Sequence, residues 1–170
     1  MSDEEWADEF DTVAKAVGIL SKRAVGIAPQ MTPANICGVV QSIWRLEASP
    51  SQELSEALME QAIKSIKGFE PRHVSNLPFL MSQLGVRPRV ELLEALVMQA
   101  DAKVESFKAI DASRFLTALA NLGHVPDQGF VDRFLSVFEK QLLHLKASEV
   151  GFVYWSLGSL GICPSQVRCA

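Results

Sequence analysis

The sequence is poor in the residues that most chemistry needs. Its three cysteines, Cys37, Cys163 and Cys169, are scattered and lack CxxC spacing, which excludes a disulfide framework and a thiolate zinc site. The histidines, His73, His124 and His144, share no ligand spacing, so no metal or cofactor is expected. No phosphate loop, dinucleotide glycine motif, HExxH helix or nucleophile elbow occurs, and the acids are dispersed. An enzyme is not expected. Glycine and proline are ordinary in number, at 10 and 8, which excludes collagen-like and low-complexity chains. The uncharged run from Val150 to Val167 is interrupted by Gly151, Gly158, Gly161 and Pro164 and does not read as a bilayer span, so no membrane insertion is expected. The first eleven residues hold six acids and no base, unlike a signal or transit peptide.

What remains is a 170-residue chain, 48% hydrophobic, with net charge −4. That balance is too apolar for disorder. Its organisation is a repeat. Pro50, Pro88, Pro126 and Pro164 lie 38 residues apart, and Leu46, Leu84, Leu122 and Leu160 precede them at the same interval. Gly85, Gly123 and Gly161 follow three of those leucines, with Glu47 departing in the first copy. Four more columns share the interval, beginning at Met31, Ile36, Val39 and Ile43.

Each unit reads as two helices. Ile36, Val39, Ile43 and Leu46 fall on one face of a 3.6-residue period, as do Ala112, Phe115, Leu119 and Leu122. Leu-Gly is a helix stop. The prolines after it are expected at the start of the second helices, with Ser49 as N-cap and Gln52 at the third helical position. Second helices carry Leu54, Leu58 and Ala62, then Leu92, Leu96 and Ala100, then Phe130, Phe134, Phe138 and Leu142. Pro33 and Pro71 are expected to begin first helices, and Pro78 to kink one.

The expected fold is all-α, a right-handed-type solenoid of helical hairpins with a 38-residue period. Residues 1–30 form an acidic lead-in and the second helix of an incomplete unit, Leu20 aligning with Leu58 and Ala16 with Leu54. Repeats span 31–68, 69–106, 107–144 and, incompletely, 145–170. The last lacks a polar cap, so the chain is expected to continue or a partner to cover that end.

The segment Ala112-Ser113-Arg114-Phe115-Leu116-Thr117-Ala118-Leu119-Ala120-Asn121-Leu122-Gly123, with Pro126 after it, resembles the first helix of octotricopeptide repeats. The fourth copy keeps Trp155, Leu157, Leu160 and Gly161 of that pattern; the second is looser and the first lacks the glycine. Heptatricopeptide repeats and the helical region of the FAST-kinase family look similar. The resemblance implies binding of single-stranded or ribosomal RNA in mitochondria, or alternatively chloroplasts. Its roles would be transcript stability, processing or translation, or a place in a divergent mitochondrial ribosome. Nothing here matches the RAP domain that often accompanies such repeats.

Repeat proteins read unstacked bases with two or three side chains per unit. Three polar, variable columns of the first helices fit that role: Asn35, His73, Asp111, Glu149; Gly38, Asn76, Arg114, Phe152; and Arg45, Gln83, Asn121, Ser159. They would vary equally if merely exposed. Lys64, Lys67, Arg72, Arg87 and Arg89 form a candidate basic cluster, or else ordinary solvated charge, in an array of 13 Lys+Arg against 14 Asp+Glu from residue 31. Trp44 and Trp155 either stack on bases or pack between hairpins, and Cys37 is expected to be an inert core thiol. The near-neutral charge keeps a second reading open, a scaffold docking protein subunits of a larger complex.

Overall fold

The computed structural model describes residues 3–141, 143 and 146–162, with side chains from residue 14 onward excepting residue 148. Leu142, His144, Cys163, Pro164 and Cys169, singled out above, lie outside the described residues. Among the described residues there are eight α-helices and no strand: α1 (Asp3–Ile27), α2 (Pro33–Arg45), α3 (Gln52–Lys64), α4 (Pro71–Gln83), α5 (Val90–Ala102), α6 (Ala109–Leu122), α7 (Gln128–Glu139) and α8 (Ala147–Ser159). They form two layers, an arrangement compatible with an α-solenoid. Helices α2, α4, α6 and α8 pack side by side in chain order, and α1, α3, α5 and α7 do the same. Short 3-10 turns at Ala28–Gln30, Ile66–Gly68 and Val104–Ser106 lead from the second layer back to the first.

Local chemistry sets the helix ends. Thr32 caps α2: its hydroxyl accepts the Asn35 N–H at 3.3 Å, while the Asn35 amide oxygen accepts the Thr32 N–H at 3.1 Å. Pro33 and Pro71 sit at the first helical turn, where their missing N–H costs nothing. The second-layer helices start later than the sequence suggests. Ser51, not Ser49, caps α3 by accepting the Leu54 N–H at 3.2 Å, and Asp127 caps α7 by accepting the Phe130 N–H at 3.0 Å. Pro50, Pro88 and Pro126 therefore precede the N-caps Ser51, Arg89 and Asp127 rather than opening the helices. A proline holds its own φ and biases the residue before it to extended backbone, so it serves the turn equally well.

The first-layer helices close with left-handed residues. Gly85, Gly123 and Gly161 have φ of +69°, +64° and +65°, and Glu47 takes the same place at +52°. In each case the next N–H reaches back five residues: Ala48 to the Ile43 carbonyl, Val86 to Met81, His124 to Leu119 and Ile162 to Leu157. Glu47 carries a Cβ where its counterparts have none, and a non-glycine residue there is strained by roughly 1–2 kcal/mol. Glu47→Gly is expected to stabilise the protein by about 1 kcal/mol, read as a higher urea midpoint. A lower midpoint would mean that the Glu47 side chain holds the turn.

Pro78 lies inside α4, which runs unbroken from Pro71 to Gln83. Its ring is buried, at the position that Val40 holds in α2 and Leu116 in α6. Between the layers lies the core. Ile36, Val74, Leu77, Phe115 and Leu119 meet Leu54, Leu92, Leu96, Phe130 and Phe134, all 2% exposed or less. Around α7 the core turns aromatic: Phe107, Phe115, Phe130 and Phe134 stack with centroids 5.2–6.2 Å apart. Side-chain amides tie the layers together. Gln61, Gln99 and Gln141 donate to the carbonyls of Met31, Phe69 and Phe107 at 3.0, 3.0 and 2.6 Å.

Candidate nucleic-acid interface

The three polar columns do not share one fate. Asn35, His73, Asp111 and Glu149 each occupy the third position of a first-layer helix. There a polar side chain can satisfy a backbone N–H that the helix leaves unpaired. Asn35 does so for Thr32, His73 Nδ1 accepts the Glu70 N–H at 3.2 Å, and Glu149 Oε2 accepts the Lys146 N–H at 2.9 Å. Asp111 instead accepts the Ser75 hydroxyl of α4 at 3.4 Å. Asn35 is exposed and the other three are buried. Burial first, and then the neighbouring Arg72 charge, holds the His73 pKa below its ordinary value, so the ring is neutral at pH 7. Asn35, His73 and Glu149 are committed to their helix ends and Asp111 to the neighbouring helix.

The other two columns lie on the open side of the first layer. Asn76 on α4 and Arg114 on α6 are partly exposed and joined, Arg114 Nη1 donating to Asn76 Oδ1 at 2.9 Å. Gln83 and Asn121 are exposed, and Asn121 Nδ2 donates to Ser82 Oγ at 3.1 Å. Arg45 and Ser159 are exposed at the ends of α2 and α8, and Gly38 and Phe152 are exposed within them. Arg72 and Phe79 complete the row on α4, since positions 72, 76, 79 and 83 share one helical face. The result is a polar strip with the guanidinium groups of Arg72 and Arg114, the partly exposed Phe79 and the exposed Trp155. Trp44 is also exposed, at the last turn of α2.

The basic cluster divides. Arg72 opens α4, whereas Arg87 and Arg89 follow its other end, and 13 helical residues span about 20 Å. Lys64 is engaged by Glu60 at 2.6 Å and Arg89 by Glu56 at 3.8 Å, all of them exposed. Such surface pairs hold each other weakly and leave the local charge near zero. Lys67 is exposed in the turn before α4.

Sequence reasoning did not foresee the hydroxyls that join neighbouring first-layer helices. Ser113 Oγ donates to the Glu149 carbonyl at 3.4 Å, and Ser156 Oγ lies 3.2 Å from Thr117 Oγ1. Their signal was the small polar residues recurring among core positions. Cys37 is buried against the His73 carbonyl, and burial pushes its thiol pKa up to about 12, with Arg72 opposing. Among the described residues no group of His, Cys, Asp and Glu could hold a metal ion, and no helix is long and apolar enough to cross a membrane. No family model matches this chain, and comparison with curated proteins finds no significant match.

Proposed function

We propose that this protein is a right-handed-type solenoid of 38-residue helical hairpins that binds single-stranded or ribosomal RNA in an organelle, the mitochondrion before the chloroplast. The repeat reading draws support from the helix boundaries. First-layer helices begin at residues 33, 71, 109 and 147, second-layer helices at 52, 90 and 128, and the 3-10 turns at 28, 66 and 104, each 38 residues after the one before. The octotricopeptide resemblance supplies the RNA expectation. The observation that carries it is the strip of Arg72, Asn76, Phe79, Gln83, Arg114 and Asn121 across α4 and α6, which combines phosphate-binding, base-reading and stacking groups on adjacent helices.

The test is fluorescence anisotropy with a mixed-sequence single-stranded RNA at moderate salt. The protein is expected to bind, with affinity falling as salt rises. Arg72→Glu with Arg114→Glu is expected to weaken binding at least about tenfold and to flatten the salt dependence. Absence of binding, or binding indifferent to the double variant in a protein of unchanged circular dichroism, overturns the reading. The second reading, docking of protein subunits in a larger complex, is favoured by the exposed Val150, Phe152, Tyr154 and Trp155 on α8.

A further inference from the structure

Among the described residues, the two ends of the first layer are bare in complementary ways. Within the layer, each helix offers one face to the helix after it and the opposite face to the helix before. Three contacts show the pairing: Cys37 Sγ to the His73 carbonyl, Ser75 Oγ to Asp111, and Ser113 Oγ to the Glu149 carbonyl. On the backward-looking face, His73, Leu80, Asp111, Ala118, Glu149 and Ser156 are all buried. The equivalent residues of α2, Asn35 and Ser42, are exposed, and Leu46 is 54% exposed where Leu160 is 7%. On the forward-looking face Val40 and Leu116 are 3% and 1% exposed, whereas Tyr154 of α8 is 75% exposed.

Helix α1 carries the same deficit in the second layer. Leu20 is 66% exposed, while Leu58 and Leu96, 38 and 76 residues later, are 2% and 0% exposed beneath a first-layer helix. Between α1 and α2 this leaves an apolar groove of about 770 Å³, lined by Val17, Leu20, Ala34, Gly38, Ser42 and Leu46 among others. It has the place and the lining of a seat for a first-layer helix. Helix α1 does not turn back to fill it. It continues without a break to Asp3, through residues 8–13, which align with the turns at 46–51, 84–89 and 122–127.

We propose that the groove takes α8 of a second copy, so that copies join head to tail. The join repeats the internal interface that α2–α4, α4–α6 and α6–α8 already make. The register follows from Arg114–Asn76, 38 residues apart: carried past α8, it sets Phe152 over Gly38 of the next copy, where no atom lies within 4 Å of a Cβ position. Leu20 of that copy covers the side of α8 that carries the exposed Val150. Such an interface is heterologous and propagates into rings or filaments. It does not depend on RNA binding.

The test is sedimentation velocity of the full chain over a range of concentrations. The wild type is expected to grow in mass with concentration, from monomer through dimer to longer species. Gly38→Arg blocks the groove and Tyr154→Arg blocks the α8 face, so each alone is expected to stay monomeric with unchanged circular dichroism. Leu46→Arg is a second groove variant at an exposed position. The decisive sample mixes the two kinds of variant: the free α8 of Gly38→Arg fits the free groove of Tyr154→Arg, giving a one-to-one dimer that grows no further. A wild type that is monomeric at every concentration overturns the proposal. Assembly that survives both variants, or a mixture that stays monomeric, overturns it as well.

Discussion

Phe115→Ala is expected to lower the unfolding free energy by about 3–5 kcal/mol, the range for emptying a fully buried aromatic site. Phe115 is 0% exposed on α6, and its ring lies 6.1, 6.2 and 6.0 Å from those of Phe107, Phe130 and Phe134. Removing it forfeits the transfer free energy of the ring and its contacts with three neighbouring rings, Phe130 edge-on and Phe107 and Phe134 tilted. Those neighbours come from α7 and from the turn before α6, so the site cannot collapse without shifting two elements against each other. Urea unfolding followed by far-UV circular dichroism measures the loss. Because each helix packs chiefly on the helices beside it, the transition is also expected to broaden. A loss below about 1 kcal/mol would contradict the packing described for this region.

Ala100→Phe is expected to cost about 1–3 kcal/mol for the opposite reason, overpacking. Ala100 is 0% exposed on α5, and the residues 38 before and after it are Ala62 and Phe138, both buried. Phe138 is tolerated because Ala112, lining the same narrow gap, is small. At the positions equivalent to Ala112, α2 and α4 carry Ile36 and Val74, both fully buried. Large and small residues thus alternate across the layers: Ile with Ala, Val with Ala, Ala with Phe. Adding Val74→Ala to Ala100→Phe is expected to recover most of the loss, a favourable coupling that a double-mutant cycle in urea measures. Additive or worse behaviour would show that the two residues do not share space.

Much of the secondary structure is legible in the residues because it rests on local backbone chemistry. Pro33 and Pro71 open helices where a missing N–H is harmless, and Gly85, Gly123 and Gly161 end them where φ turns positive. The apolar positions named at steps of three and four are buried or half-buried wherever they are described, Leu46 excepted, because one helix face must leave water. The start of the second-layer helices is less legible. Ser49 and Ser51 are equally good caps in isolation, and it is the Ser51 hydroxyl that accepts the Leu54 N–H.

The candidate site divides along the same line. Sequence alone determined that the chain is helical, where its apolar faces lie and which polar positions of the first-layer helices vary. Only the tertiary structure decided which of those polar residues face the open side. His73 and Glu149 are spent on their own helix ends and Asp111 on Ser75 of the helix alongside, while Asn76, Arg114 and Asn121 remain on the open side. It also parted Arg72 from Arg87 and Arg89, and left Leu20, Leu46 and Tyr154 uncovered at the two ends. Capping and the helical period depend on neighbours along the chain, which a sequence displays. Exposure depends on which helix lies alongside, and that is set by packing between segments far apart in the chain.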